Sequence, residues 1–242
     1  MTHALFISDL HLHATRPLTT AAFFRFLEED ARTAAQLFIL GDLFEFWVGD
    51  DQLDHDPLAA DVAARLAALA ESGTEIFFMH GNRDFLIGER FAAAAQLTLL
   101  PDPTTISLGG KPLLLLHGDT LCTDDVAYQQ FRKQARDPAW QASILAKPYA
   151  ERVALAQAIR ERSNTEKATK AEDIMDVTPA TVDATFRAHG YIDMIHGHTH
   201  RPATHQHAVD GRICNRTVLA DWHDAAQVLR LDTTRDIGVK AP

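Results

Sequence analysis

Five times in this chain a short apolar run stops abruptly in a cluster of residues able to bind ions or move protons. Leu5 to Ile7 leads to Asp9-Leu10-His11, Leu37 to Leu40 to Gly41-Asp42, and Ile76 to Met79 to Gly81-Asn82-Arg83-Asp84. Leu113 to Leu116 leads to His117-Gly118-Asp119, and Ile192 to Ile195 to Gly197-His198-Thr199-His200. Runs this short suit buried strands. Between the early runs lie alanine-rich stretches with helical spacing, Thr20 to Ala35, Leu58 to Glu71 and Glu89 to Ala95, the second stopped by Gly73. The pattern is α/β, and in an open α/β sheet ligands gather beyond the carboxyl ends of the strands. Arg216 to Ala220 and Gln227 to Asp232 read as consecutive strands, antiparallel and near a sheet edge.

With 242 residues, the chain suits one compact domain or one domain carrying a large insertion. The rhythm breaks between residues 124 and 189, which read as an inserted helical subdomain, leaving 1–123 and 190–242 as the core. From Tyr128 to Lys170 there are nine Lys and Arg against four Asp and Glu, in a protein of net charge −10. Phe131, Trp140, Ile144, Leu145, Tyr149, Val153, Leu155 and Ile159 are interleaved with these charges. One reading is a solvated face on packed helices; the other is a lid for an anionic, lipidic ligand or a membrane-surface patch.

Composition narrows the classes. The net negative charge argues against broad binding to nucleic acid. Cys122 and Cys214 are the only cysteines, and neither belongs to a Cys-x-x-Cys pair, which fits a reduced, cytosolic protein. Met1 to Asp9 shows no basic leader, and no apolar stretch is long enough to span a bilayer.

The five clusters together offer carboxylates from Asp9 and Asp42, an amide oxygen from Asn82, and imidazoles from His11, His117, His198 and His200. Seven nitrogen and oxygen donors exceed what one tetrahedral ion needs, and they suit two ions sharing a carboxylate. One such pair of residues alone would more often be polar surface; five in order, each at a strand end, are hard to explain that way.

In these motifs the sequence resembles the calcineurin-like metallophosphoesterases over residues 1–120 and 190–225. The resemblance implies a sandwich of two mixed β-sheets flanked by helices, and hydrolysis of phosphoesters by two divalent ions. It implies that Asp9, His11, Asp42 and His200 hold one ion and Asp42, Asn82, His117 and His198 the other, with Asp42 bridging. The donors suit Mn²⁺, Fe²⁺ or Zn²⁺. Asp84, Asp119 and His196 are expected to orient these ligands from behind.

Arg83 stands where many members of this family have a histidine assigned to the leaving group. A phosphate leaving from a pyrophosphate is a weak base that departs without a proton, whereas an arginine can hold phosphate oxygens bidentately as charge develops. The plainer alternative is a structural arginine paired to Asp84. With Gly41 to Trp47, His117 to Asp125, Ile174 to Val177 and His196 to Pro202, the chain is similar to those members that cleave UDP-2,3-diacylglucosamine in lipid A biosynthesis. That similarity implies release of UMP and 2,3-diacylglucosamine 1-phosphate by water attack at the α-phosphorus, with two Mn²⁺ per chain. It implies a monomer on the cytoplasmic side of the inner membrane, bound peripherally through the insertion, with Trp140 and Tyr149 as candidate contacts.

The same similarity gives Asp42, Asn82, Arg83, His117 and His198 as catalytic, and Asn82, Arg83, Asp125, Ser163, Lys167, Lys170 and His198 as substrate contacts. Lys167 departs from the asparagine often found there, and a solvated helix charge is the alternative. Phe44-Glu45-Phe46-Trp47 reads either as part of an acyl pocket or as core. Two rival functions are a soluble nucleotide pyrophosphatase or dinucleoside polyphosphate hydrolase, and a non-catalytic adaptor that keeps the metals.

Overall fold

The computed structural model of this chain describes residues 2–169, 176–233 and 237–239. In its first strands the runs Ala4 to Ile7 and Leu37 to Ile39 are apolar at every position because they face two different cores. In β1 (Thr2–Ile7), Leu5 and Ile7 pack beneath helices while Ala4 and Phe6 pack between two sheets. β2 (Gln36–Ile39) repeats this, with Leu37 and Ile39 on the helix side and Phe38 stacked on Phe6 at 4.9 Å.

The first sheet contains β1, β2, β3 (Glu75–Met79), β4 (Thr98–Leu100) and β10 (Leu229–Thr233), in the order β10-β1-β2-β3-β4. All its pairs are parallel except β10 on β1. The second contains β5 (Thr104–Leu108), β6 (Lys111–Leu115), β7 (Met194–His196), β8 (Ala203–Val209), β9 (Arg212–Val218) and β11 (Ile237–Val239). Its order is β11-β5-β6-β7-β9-β8, with β6, β7 and β9 parallel. Between the sheets lie Phe6, Phe38, Leu40, Met79, Ile106, Leu115 and Ile195.

Helices α1 (Pro17–Glu28), α3 (Pro57–Glu71) and α4 (Glu89–Ala95) cover the first sheet through Phe23, Phe26, Val62, Leu66 and Phe91, and a short α2 (Gln52–His55) precedes α3. Asp56 caps α3 by accepting from the N–H of Leu58 at 3.0 Å, and Gly73 ends it with φ of +107°. The architecture is therefore helix, sheet, sheet, helix, two mixed sheets flanked by helices.

Several details differ from the sequence reading. The stretch from Thr20 to Ala35 is α1 followed by a 3₁₀ turn at Ala31–Thr33. The two C-terminal runs do not pair: β9 lies inside the second sheet and β10 borders the first. Strand β8 precedes them, joined to β9 through Asp210 and Gly211, both at positive φ, the conformation of a tight hairpin turn.

Between β6 and β7 come α5 (Val126–Ala135), α6 (Pro138–Leu145), α7 (Tyr149–Thr169) and α8 (Pro179–Ala188). Helix α8 packs on the second sheet through Val182 and Phe186. Helices α5 to α7 bury little of their own, and several of their basic residues reach into the core. Arg132 binds Asp119 at 2.7 Å, Arg136 donates to the carbonyl of Gly81 at 2.9 Å, and Arg152 donates to the Val48 carbonyl and pairs with both oxygens of Asp51. These charges are ties to the core, neither a purely solvated face nor a free patch. Trp140 packs among Phe85 and Phe131, and Tyr149 lies against His55 at 4.3 Å.

Candidate metal centre and pocket

The turns beyond the strands are sewn to each other by backbone. Asp9 N–H donates to Gly41 O at 3.1 Å, His11 N–H to Asp42 O at 2.9 Å, and Gly197 N–H to His117 O at 2.9 Å. Asp9, His11, Asp42, His198 and His200 all have φ between +49° and +69°. Left-handed backbone is sparsely populated by residues other than glycine, and its concentration here marks loops shaped for side-chain presentation. Gly81 leaves the space this needs, since a Cβ there would strike Oδ1 of Asp42.

All seven sequence-predicted donors meet. Nε2 of His200 lies 3.3 Å from Asp9 Oδ1 and 3.3 Å from Nε2 of His11. Nε2 of His117 lies 3.8 Å from Asp42 Oδ1, and Nδ1 of His11 lies 3.9 Å from Asp42 Oδ2. Oδ1 of Asn82 is 3.0 Å from Nε2 of His117 and 2.9 Å from Nδ1 of His198. Rotated by half a turn, the Asn82 amide would donate to both nitrogens and to Asp42; the oxygen-inward orientation is the one that offers a cation a donor.

Donors from Asp9, His11 and His200, and from Asp9, Asp42 and His117, lie within 4.8 Å of one another. Asp9 is thus shared by the two groups, beside Asp42. The residues fit divalent ions on the chemistry of the set and on two buried orphans, since Oδ1 of Asp9 and Nδ1 of His11 have no hydrogen-bond partner.

Supporting contacts aim these donors. Asp9 Oδ2 accepts from Ser8 Oγ at 2.6 Å and from His198 N–H at 2.8 Å, which leaves Oδ1 toward His200. His117 Nδ1 lies 2.9 Å from the carbonyl of Leu40, an arrangement that makes Nδ1 the donor and Nε2 the ligand atom. Burial would lower the His117 pKa, but the carboxylates of Asp42, Asp119 and Asp9 outweigh it and raise it to about 9. That same negative field favours a cation. Burial opposes ionisation of Asp9 as well, yet His200 and His117 hold it below the usual carboxylate range.

Of the three expected supporting residues, Asp84 holds the backbone of a donor, while Asp119 and His196 bond to other groups. Asp84 accepts N–H groups from Gly81, Asp42 and Leu43; burial and the nearby Asp42 push its pKa up. Asp119 accepts from Tyr128 Oη at 2.5 Å and Arg132 Nε at 2.7 Å. His196 lies between Gly197 O and Arg216, and burial lowers its pKa to about 4.

A cavity of about 420 Å³ opens beside the donors, bounded by Asn82, Arg83, His198 and His200 on one side and by α5 and α7 on the other. Asp125 and Ser163 line it; Asp125 also caps α5 by accepting from Tyr128 N–H at 3.1 Å. The side chain of Lys167, and Lys170 altogether, lie outside the described residues. Arg83 does not pair with Asp84. Its guanidinium meets Glu45 at 3.2 Å and lies 3.6 Å from Asp42. Phe44 and Trp47 are core, packed on Phe91, and do not line the cavity.

Sequence reasoning missed Glu45, Arg160 and Asp221. Asp221 Oδ2 lies 3.2 Å from Nδ1 of His200, and Arg160 donates to Glu45 at 2.6 Å. Arg160 had a findable signal, being three residues before Ser163 and so on the same helical face. Asp221 had none, because its loop touches the centre only in the folded chain.

The family model of the calcineurin-like phosphoesterases matches residues 2–202, and the chain belongs to that family. It is 57% identical to the UDP-2,3-diacylglucosamine hydrolase of Aromatoleum aromaticum, over 95% of this chain and 93% of that protein. Proteins of the same name from Stenotrophomonas maltophilia and Chromohalobacter salexigens are 54% and 53% identical, covering 94% and 90% of this chain and 94% and 88% of theirs. The resemblance carried by the five motifs thus extends along nearly the whole sequence.

Proposed function

We propose that this protein hydrolyses the pyrophosphate bond of UDP-2,3-diacylglucosamine to UMP and 2,3-diacylglucosamine 1-phosphate, in lipid A biosynthesis. The observation that carries the reading is Arg83, a mostly covered guanidinium beside Asn82 at the wall between the donor cluster and the cavity. The names of the relatives supply the substrate class.

Asp9, His11, Asp42 and His200 would hold one divalent ion and Asp42, Asn82, His117 and His198 a second, with Mn²⁺ the expected metal. Bound there, the ions would supply positive charge to the phosphate oxygens and acidify the attacking water. Arg83 meets charge growing on the non-bridging oxygens of the α-phosphate. The new P–O bond forms from water, whose proton passes to solvent; the bridging P–O bond breaks, and the sugar 1-phosphate departs with the electron pair. It is a weak base, so no side chain need protonate it.

The half-apolar cavity wall made by Ala127, Phe131 and Ile159 supports acyl and sugar binding beneath α5 and α7. Asp125, Ser163, Lys167 and Lys170 would complete the substrate contacts. Val126 and Leu145 are exposed apolar residues of the same insertion, which supports peripheral contact with a membrane; the protein would act there as a monomer, at the cytoplasmic face of the inner membrane. Among the described residues no helix is long and apolar enough to cross a membrane.

The test is turnover of UDP-2,3-diacylglucosamine in detergent micelles with Mn²⁺ and ¹⁸O-labelled water, with a soluble dinucleotide and p-nitrophenyl phosphate alongside. Labelled UMP from the lipid alone is expected. Cleavage of the dinucleotide without the lipid would make the protein a soluble nucleotide pyrophosphatase, and silence on all three would leave a metal-bearing adaptor.

A further inference from the structure

One carboxylate gathers three elements at the cavity. Oε1 of Glu45 accepts from Arg83 NH1 at 3.2 Å and from Arg160 Nε at 2.6 Å, while Oε2 lies 3.7 Å from Nδ1 of His11. Arg83 belongs to the loop after β3, Arg160 to α7 and His11 to the turn after β1. Both guanidiniums line the cavity, only 9% and 18% exposed.

Two guanidiniums converging on one point in so dry a place would repel each other. Glu45 offsets that repulsion, and its one negative charge does not by itself cancel the two guanidiniums. Each guanidinium has five N–H donors, so both keep donors that Glu45 does not use. Arg152 anchors the beginning of α7 to Val48 and Asp51, and Arg160, two turns on, is held by Glu45.

We propose that Glu45 is a positioning residue that fixes Arg83 and Arg160 side by side as a paired clamp for the phosphate oxygens of the substrate and thereby ties α7 to the metal centre. The proposal rests on the pyrophosphate reading above for its substrate, but not for its geometry. Losing the carboxylate frees Arg160 first, because Arg83 retains Asp42.

The test compares wild type with Glu45→Gln, Glu45→Asp and Arg160→Gln. Without substrate, hydrogen exchange in α7 around Arg160 is expected to quicken about tenfold in Glu45→Gln and Arg160→Gln, the loss of one charged hydrogen bond. Exchange around Arg152 stays as in wild type, and Glu45→Asp recovers part of the protection. Inorganic pyrophosphate is expected to slow this exchange in wild type and not in Glu45→Gln. With UDP-2,3-diacylglucosamine, KM rises about tenfold in Glu45→Gln while kcat changes less than about threefold.

Unchanged exchange, pyrophosphate protection and KM in Glu45→Gln would overturn the proposal. So would a loss of kcat without a change in KM. Should Glu45→Gln fail to fold, Arg160→Gln carries the same readouts. If wild type is inert toward the lipid yet exchange and pyrophosphate protection behave as expected, the substrate reading fails and the clamp stands.

Discussion

Asp84 accepts the backbone N–H of Asp42 at 3.3 Å, and Asp42 in turn accepts the N–H of Arg83, the residue before Asp84, at 2.9 Å. Two loops from neighbouring strands thus hold each other's carboxylates. Asp42, proposed as the shared ligand, is thus aimed by a residue outside the proposed donor set.

Asp84→Asn keeps the shape but turns an N–H toward donors. It should cost about 1–3 kcal/mol of stability and weaken metal binding about 10–100-fold. Chemical unfolding in EDTA and a metal titration of the folded variant measure the two effects separately.

Arg83 is expected to act through charge placed where it develops. Arg83→Ala should lower kcat by about 10²- to 10³-fold, with little rescue by lysine because the forked contact is lost. Steady-state turnover of the lipid checks this, and a lysine variant near wild type would contradict it.

Asp221 faces Nδ1 of His200 and thereby turns Nε2 toward Asp9. Asp221→Asn should weaken metal retention about 10–100-fold while leaving KM for substrate at saturating Mn²⁺ nearly unchanged. Competition against a fluorescent chelator reads the first, kinetics the second.

The Arg152–Asp51 pair carries an acid sensitivity. The hydrogen bond from Arg152 holds the Asp51 pKa below its ordinary 3.8, against the opposing effect of burial. A carboxylate depressed in the folded state contributes stability above its unfolded pKa and loses it as pH falls through the folded one. Protection from hydrogen exchange at the start of α7, measured against the intrinsic rate at each pH, should therefore fall below about pH 4 in wild type and be low at all pH values in Arg152→Met.

The strand ends were legible because a strand buried on both faces must be apolar throughout, so its end shows as a sudden change of residue type. That exposed all seven donors and their order. Strand β8 was not legible, since Ala203 to Ala208 is mostly exposed and carries no such contrast. Pairing of β9 and β10 was misjudged because neighbours in sequence were assumed to be neighbours in a sheet. Glu45 lay in plain view three residues beyond Asp42, yet only the fold shows that α7 crosses above it.

The left-handed backbone at Asp9, His11, Asp42, His198 and His200 means these positions are selected twice. Chemistry asks for an oxygen or a nitrogen, while the main chain independently tolerates little beyond glycine, asparagine, aspartate and histidine. A valine or isoleucine there harms folding before any reaction is considered, and glycine preserves the shape while emptying the function. Abundance and activity would therefore separate at these five positions in a library of variants, and glycine would be the residue that survives without working.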